Sequence, residues 1–246
     1  MIKLVKGLSI VSPWPALFIE RANTLVVADL HIGLEDEREI KGVHIPTTLL
    51  PKILNAIINP VKETGCSRLV IAGDVKHEFG KPTEAEWWGV KRLFKALREV
   101  GCEIEVVKGN HDNYIIYILK ELGIKLHRSS LLIDRFLIKH GHEPLQDDEK
   151  RMKQIIIGHE HPVIAIKDDV GVKHRFKAFL HGKLGNKVIT VLPSISPLAY
   201  GTDINEVPVQ ELLSPILREA GIDDLIPYAI EIGVVVKSFP KLKLLM

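Results

Sequence analysis

Residues 63–74 of the chain, ETGCSRLVIAGD, carry the signals that decide its fold. The glycine at position 65 ends a predicted helix, because glycine adopts the left-handed C-cap conformation at little cost. An apolar strand over 67–72 follows and leads to Gly73-Asp74. Residues 99–110, EVGCEIEVVKGN, repeat this order of helix end, buried strand, glycine and polar side chain. The alternation predicts a parallel sheet whose ligands lie beyond the carboxyl ends of its strands.

The segments around these two units extend the alternation through the first half of the chain. Apolar spacing predicts helices at 46–63, 83–100 and 114–122. The second of these helices begins with a Thr-Glu-Ala-Glu capping box at 83–86. Further strands are predicted at 16–20, 24–29 and 103–107, and the first two form a hairpin.

The second half of the chain is rich in predicted strands. They are expected at 130–140, 154–158, 163–167, 175–181, 187–192 and 229–237. Residues 168–171 suit a hairpin turn, and residues 204–227 are predicted to form a helical insertion. We therefore predict one domain over residues 1–246 with an α/β fold of the α+β type. The expected architecture is a four-layer αββα sandwich, in which two facing mixed sheets lie between outer helices.

The composition excludes several classes of protein. The 246 residues include 33 Lys and Arg against 31 Asp and Glu, and this net charge of +2 excludes a polybasic protein that binds through bulk charge. The two cysteines exclude a disulfide framework and a cysteine-rich zinc module. The sequence shows no signal-peptide pattern and no run of roughly 20 apolar residues, so we expect a cytoplasmic protein without membrane contact.

Seven of the eleven histidines fall in five short clusters next to predicted strands. The clusters are Asp29-Leu-His31, Gly73-Asp-Val-Lys-His77, Gly109-Asn-His-Asp112, His140-Gly-His142 and Gly158-His-Glu-His161. Carboxylate, amide and imidazole groups at strand ends suit a pair of divalent metal ions. If Asp74 is shared, each ion receives four ligands from the set Asp29, His31, Asp74, Asn110, His140, His159 and His161.

In this order, the motifs DLH, GDVKH, GNHD, HGH and GHEH resemble those of the calcineurin-like metallophosphoesterase superfamily over about residues 25–200. With the LPSIS segment at 192–196, the pattern is similar to the small phosphoesterases and nucleases associated with DNA repair. The resemblance implies an αββα sandwich that binds two divalent ions. Manganese is the expected metal, with iron, zinc or nickel as alternatives. One ion is assigned to Asp29, His31, Asp74 and His161, and the other to Asp74, Asn110, His140 and His159.

The resemblance also implies catalytic roles for His111 and Asp112. His111 would act near the leaving group, as a proton donor or as a stabiliser of charge, and Asp112 would orient it. His77 stands where many relatives have another residue, and it is either a substrate contact or a polar neighbour of the site. His142 is interpreted as a neighbour of His140.

Residues 167–187 contain six Lys or Arg residues against two Asp residues, a local charge of +4. A nucleic-acid backbone could lie along this stretch, with Arg175 and Lys177 as candidate substrate contacts. The alternative is a solvated hairpin edge that lysines protect from pairing with other chains.

Rival classes fit the pattern less well. The pair His111-Asp112 suggests an HD-type phosphohydrolase, but that class is all-helical and this pair follows a predicted strand. The segment His159-Glu-His161 suggests an amidohydrolase barrel, which needs such a motif on its first strand. A metal-stabilised docking module would be expected to have lost ligands, and none is lost.

We therefore predict a two-metal phosphoesterase that hydrolyses phosphodiester bonds, as a nuclease acting on DNA or RNA. The alternatives are a phosphomonoesterase or nucleotide phosphodiesterase, and a metal-bound docking module of a DNA- or RNA-processing complex. A DNA-repair or helicase protein is the expected partner, and the oligomeric state stays open.

Overall fold

The computed structural model describes residues 1–35, 38, 42 and 49–246, and its first sheet comes from the first half of the chain. Among the described residues, this first sheet has seven strands that pair in chain order: β1 (Ile2–Val5), β2 (Leu8–Ile10), β3 (Leu17–Ile19), β4 (Thr24–Val27), β5 (Arg68–Ile71), β6 (Glu103–Val107) and β7 (Lys125–His127). Pairing is antiparallel up to β4 and parallel from β4 to β7. The carboxyl ends of β4, β5 and β6 therefore meet at one edge.

Among the elements that the structure describes with bounds, three helices lie between the parallel strands. They are α1 (Leu50–Thr64), α2 (Glu84–Arg98) and α3 (Ile115–Glu121). The predicted capping box forms at the start of α2, where the Glu86 amide donates to Thr83 Oγ1 at 3.1 Å and the Thr83 amide donates to Glu86 Oε2 at 2.9 Å. The three predicted helices are thus found, although the expected start of the first, at 46–48, lies outside the described residues.

The second sheet comes from the second half of the chain and has nine strands among the described residues. They are β8 (Ser130–Ile133), β9 (Phe136–Lys139), β10 (Gln154–Ile157), β11 (Pro162–Lys167), β12 (Lys173–Leu184), β13 (Lys187–Val191), β14 (Thr202–Asp203), β15 (Ile226–Glu231) and β16 (Val235–Ser238). The spatial order is β14-β11-β12-β13-β10-β9-β8, and β15 pairs with β12 and β16. Because β9 and β10 are parallel, their carboxyl ends also share an edge.

Three apolar clusters separate the layers of the fold. Leu25 of β4 packs with α1 and α2, whereas its neighbour Val26 points the other way and packs with Phe136 and Phe179 of the second sheet. On the far side of the second sheet, the helix α4 (Pro215–Ala220) packs through Ile216 and Leu217. The two sheets therefore face each other between outer helices, in the order αββα, which confirms the predicted fold class.

Two predicted strands are wrong in detail. Residues 130–140 form the hairpin β8–β9, whose turn places Asp134 at a φ of +52°, and residues 229–237 belong to the hairpin β15–β16. Both runs are apolar on either side of the turn, and only the second turn contains a glycine, Gly233, with a φ of +82°. The strands β1, β2, β7 and β14 have no counterpart in the sequence analysis.

Residues 204–227 carry a short 3-10 helix at Val209–Glu211 and then α4. Buried Leu212, Ile216 and Leu217 hold this segment against the second sheet. Its assignment as an insertion and the assignment of the whole chain to one domain stay predictions. Among the described residues, none of the helices has the length and apolarity needed to cross a membrane.

Candidate metal centre

The predicted ligands gather where the carboxyl ends of the two sheets meet. Asp29 and His31 follow β4, Asp74 follows β5, and Asn110 follows β6. From the second sheet, His140 follows β9, and the His159-Glu-His161 segment follows β10. The sheets are joined here by the His159 amide, which donates to Asp29 Oδ2 at 3.1 Å, and by a 2.8 Å bond between His140 Nδ1 and the Ala72 carbonyl.

One group of donor atoms consists of Asp29, His31 and His161, whose ligand atoms all lie within 4.8 Å of one another. His161 Nε2 lies 3.2 Å from Asp29 Oδ1 and 3.3 Å from His31 Nε2. Asp29 and His31 are buried. The three side chains therefore aim at one point from two different sheets.

A second group consists of Asp74, His140 and His159, again within 4.8 Å. His140 Nε2 lies 3.2 Å from Asp74 Oδ2 and 3.0 Å from Asn110 Oδ1. Asp74 Oδ2 is also 3.8 Å from His31 Nε2, so this oxygen lies between the two groups.

The backbone at these positions is strained. Asp29, His31, Asp74, His159 and His161 have φ values of +60°, +47°, +53°, +68° and +46°. They are five of the eight non-glycine residues with positive φ in the described part of the chain. Such a conformation costs about 1–3 kcal/mol per residue and persists where the surroundings demand it. Five of these eight positions are predicted ligands, and strain of this kind is typical of functional sites.

Two glycines permit the close approach of the ligand side chains. A Cβ on Gly73 would lie 2.3 Å from His140 Nδ1, and a Cβ on Gly109 would lie 2.1 Å from Asp74 Oδ1. No larger residue fits at either position without moving a predicted ligand.

The electrostatics of the site suit cation binding. Burial and the neighbouring His161 lower the pKa of His31 to about 3, and burial and His140 lower the pKa of His159 to about 3, so both rings are neutral at pH 7 as metal ligation requires. Burial also disfavours the charged form of His140, but the charges of Asp74 and Asp29 outweigh it and raise its pKa to about 9. A cation bound beside Asp74 would take the place of that proton.

Two carboxylates, one amide and four imidazoles therefore fit a pair of divalent ions that share Asp74. Ions held there would polarise a phosphate group and lower the pKa of bound water.

His111 lies beside this donor set. Its amide donates to Asp74 Oδ1 at 2.9 Å, and its Nε2 is 3.9 Å from Asp74 Oδ2. Its Nδ1 is bonded to the His77 carbonyl, and the His77 ring places Nδ1 3.3 Å from His31 Nδ1. His77 is therefore a neighbour of the site through both its backbone and its ring. The His142 ring lies near those of His140 and His159, at centroid distances of 5.2 and 5.9 Å and interplanar angles of 52° and 64°.

Asp112 does not have the geometry expected for orienting the His111 ring. Its carboxylate accepts backbone N–H groups from Asp74 at 2.8 Å, from Val75 at 2.9 Å and from Gly109 at 2.9 Å. It is fully buried, and burial with the charge of Asp74 raises its pKa to about 6. Asp112 thus ties together the loops that carry Asp74 and Asn110, and the His77 carbonyl is the group that orients His111.

The basic stretch also differs from its expectation. Arg175 Nε pairs with Asp203 at 2.6 Å, and Lys173 pairs with Asp203 at 2.8 Å and with Glu206 at 2.6 Å. Lys177 turns inward, where burial lowers its pKa to about 8 despite the charge of Asp29. Acidic partners and burial occupy these cations, so the predicted substrate roles of Arg175 and Lys177 lack support from the structure.

Lys177 has a structural role that the sequence analysis missed. Its Nζ donates to the carbonyls of Ser194 at 2.9 Å and Ser196 at 2.5 Å. The same loop holds the Asp29 carbonyl, through Ser194 Oγ at 3.0 Å and the Ser196 amide at 3.2 Å. The LPSIS segment marks the loop in the sequence, but nothing in the sequence indicates that Lys177 binds this loop.

Comparisons with known proteins agree with this geometry. A family model described as calcineurin-like phosphoesterase matches residues 22–182, more than half of the chain. A search of the curated proteins found no match. Among solved structures, the nuclease MPE of Pseudomonas putida is 20% identical, with a TM-score of 0.66 and 94% of each chain covered. The phosphoesterase YfcE of E. coli is 17% identical, with a TM-score of 0.44, 89% of this chain covered and 98% of the other. The chain therefore belongs to the calcineurin-like phosphoesterase family and is a metal-dependent phosphoesterase.

Proposed function

We propose that this protein hydrolyses phosphodiester bonds in DNA or RNA, with two divalent ions, manganese first, at the candidate metal centre. The observation that carries the proposal is the gathering of the seven predicted ligands in two groups that Asp74 Oδ2 and His31 Nε2 link at 3.8 Å, with His111 beside them. The chain has retained a complete donor set, which a docking module would not need.

The ligand roles follow the two groups of donor atoms. Asp29, His31 and His161 would hold one ion, and His140, His159 and Asn110 would hold the other, with Asp74 shared. Asp112 would keep the two loops in register through its backbone hydrogen bonds. His31 and His159 are neutral at pH 7, so these rings need to lose no proton before they bind.

His111 would serve the leaving oxygen of the substrate. Its Nδ1 is bonded to the His77 carbonyl, so Nε2 is the ring atom that remains to face a phosphate beside Asp74. Because Nδ1–H is donated to the His77 carbonyl, Nε2 can donate only when the ring carries a second proton. The protonated ring would stabilise the charge that develops as the ester bond breaks and pass its Nε2 proton to the leaving oxygen.

The preference for nucleic acid rests on the motif resemblance and on the fold shared with the nuclease MPE. The basic hairpin no longer supports it, because its cations are paired or buried. A DNA-repair or helicase partner stays a prediction from the resemblance.

The test compares a chromogenic phosphodiester with the matching monoester, using metal-stripped protein with Mn²⁺ added back or with EDTA. We expect Mn²⁺-dependent cleavage of the diester, and then cleavage of labelled DNA or RNA. His111→Ala should keep its metal content and lose about 10²–10⁴-fold in rate. Preference for the monoester, or full activity in EDTA, would overturn the proposal.

A further inference from the structure

An aromatic hollow lies on the surface between the start of α2 and α3. It has a volume of about 560 Å³ and is lined by Lys81, Pro82, Trp87, Tyr114 and Tyr117. Tyr114 and Tyr117 are 45% and 62% exposed. Exposed apolar side chains grouped in one patch, unlike single ones, are typical of interaction sites.

The loop that carries His111 leads directly into the hollow, because Tyr114 lies three residues after His111. The exposed ring of Phe79 lies against His111, with ring centroids 3.7 Å apart. The Asn113 side chain donates to the Phe79 carbonyl at 3.2 Å and thereby joins the loop before α2 to the loop that carries His111. Tyr114 follows Asn113 directly. A molecule whose phosphate lies beside His111 could therefore extend over Phe79 into the hollow.

The lining favours a flat, aromatic ligand attached to an anion. The rings of Tyr114 and Tyr117 are nearly parallel, with an interplanar angle of 22° and centroids 6.4 Å apart. Faces of this kind stack nucleobases with little regard to sequence. The exposed Lys81 adds a positive charge that suits the phosphate of a neighbouring nucleotide.

Building on the proposed action on nucleic acid, we propose that the aromatic hollow stacks a nucleobase near the scissile phosphate. Tyr117 is the ring to test, because it is the most exposed of the three aromatic residues that line the hollow and lies on the surface of α3. Its replacement leaves the core and every predicted metal ligand intact.

The experiment compares two proteins on two substrates. Wild type and Tyr117→Ala are each assayed, with Mn²⁺, on an oligonucleotide and on a backbone of the same length in which all bases are removed. We expect Tyr117→Ala to lower kcat/KM for the intact oligonucleotide by roughly 5- to 100-fold. On the abasic backbone the variant should match wild type, because neither has a base to stack. Tyr117→Phe retains the ring and should retain the wild-type rate.

A matched control is Phe176→Ala, which removes a half-exposed ring from β12, in a different cavity lined by Ala229 and Phe239. This variant should leave kcat/KM unchanged on both substrates. Equal losses for Tyr117→Ala on intact and abasic substrates, or no loss on either, would overturn the stacking role while leaving nuclease action in place. Failure of wild type to cleave any oligonucleotide, with cleavage of the chromogenic diester, would overturn the nucleic-acid proposal itself.

Discussion

The metal centre and the basic β11–β12 hairpin are both dense in ionisable side chains, but they use them differently. At the metal centre, carboxylates and imidazoles converge from two sheets and leave ligand atoms facing one another. Along the hairpin, each main cation is matched by an acidic partner or a backbone carbonyl. A high density of charged residues in a sequence is therefore weak evidence for a binding site. Metal-ligand atoms that the fold brings to a common point are stronger evidence.

The backbone marks the same difference. At the metal centre, five candidate ligands adopt positive φ, which the rest of the fold must stabilise. In β12, which carries the hairpin cations, the backbone is regular and pairs in register with β11 and β13. Strain at one region and regularity at the other separate a functional arrangement from a structural one.

The largest expected effect comes from removing a ligand. His161→Ala should lower phosphodiester hydrolysis by more than about 100-fold, since even a contact outside the ligand shell typically contributes 10- to 100-fold. Initial rates and metal content per chain at fixed Mn²⁺ measure it. His174→Ala, which removes a hairpin histidine paired with Asp168 at 2.9 Å, is the matched control and should change neither quantity. Equal behaviour of the two variants would erase the distinction between the regions.

Lys177→Met tests the one hairpin cation that reaches the metal centre. The replacement keeps the apolar stem but leaves the carbonyl of Ser194 without its lysine donor, while the carbonyl of Ser196 keeps a longer bond of 3.4 Å from the Ala199 amide. Unsatisfied buried acceptors of this kind should lower the free energy of unfolding by about 1–3 kcal/mol. Urea unfolding measures this loss. Mn²⁺ affinity should also fall, because the same loop holds the Asp29 backbone. Unchanged stability would show that Lys177 has no structural role.

The elements that could be predicted from the sequence are those set by local signals. The glycine–strand–glycine pattern at 63–74 and 99–110 located β5, β6 and the positions of Asp74 and Asn110. The turn between β8 and β9 could not be predicted, because Asp134 adopts a left-handed backbone without a glycine or proline to announce it.

The contacts that escaped prediction in the candidate site join residues far apart in the chain. Asp112 binds the backbone of Asp74, 38 positions away, and Lys177 binds the carbonyl of Ser194, 17 positions away. Motif order predicts which residues are ligands, but only the fold shows that Asp112 accepts backbone amides and that Lys177 donates to a loop. The contacts of Asp112 and Lys177 differ from those expected for this reason, and their predicted roles at the site stay predictions.

A histidine of β12 outside the metal centre provides a test of burial without ligation. His181 is buried against Thr190, and burial lowers its pKa to about 4. The unfolded chain, with a histidine pKa near 6.5, binds more protons between pH 4 and 6.5, so stability should fall as pH drops through this window. The loss should reach about 2 kcal/mol at pH 5.

Urea unfolding of metal-free wild type and His181→Gln at pH 7 and pH 5 isolates this contribution. Wild type should lose about 2 kcal/mol more than the variant between the two values. The same dependence on pH in both proteins would assign the acid sensitivity to other groups, such as the histidines of the metal centre.

The smallest expected effect is that of Arg175→Gln, and it tests whether the β11–β12 hairpin binds nucleic acid. Arg175→Gln breaks the exposed contact with Asp203 and should lower the free energy of unfolding by less than about 1 kcal/mol. If Arg175 held a phosphate, its loss would also reduce the slope of log Kd against log salt concentration by about one. We expect that slope to stay unchanged, because Asp203 and Glu206 together already neutralise Arg175 and Lys173. Titrations of a labelled oligonucleotide at several salt concentrations measure it. A reduced slope would return the hairpin to the substrate surface and weaken the contrast with the metal centre.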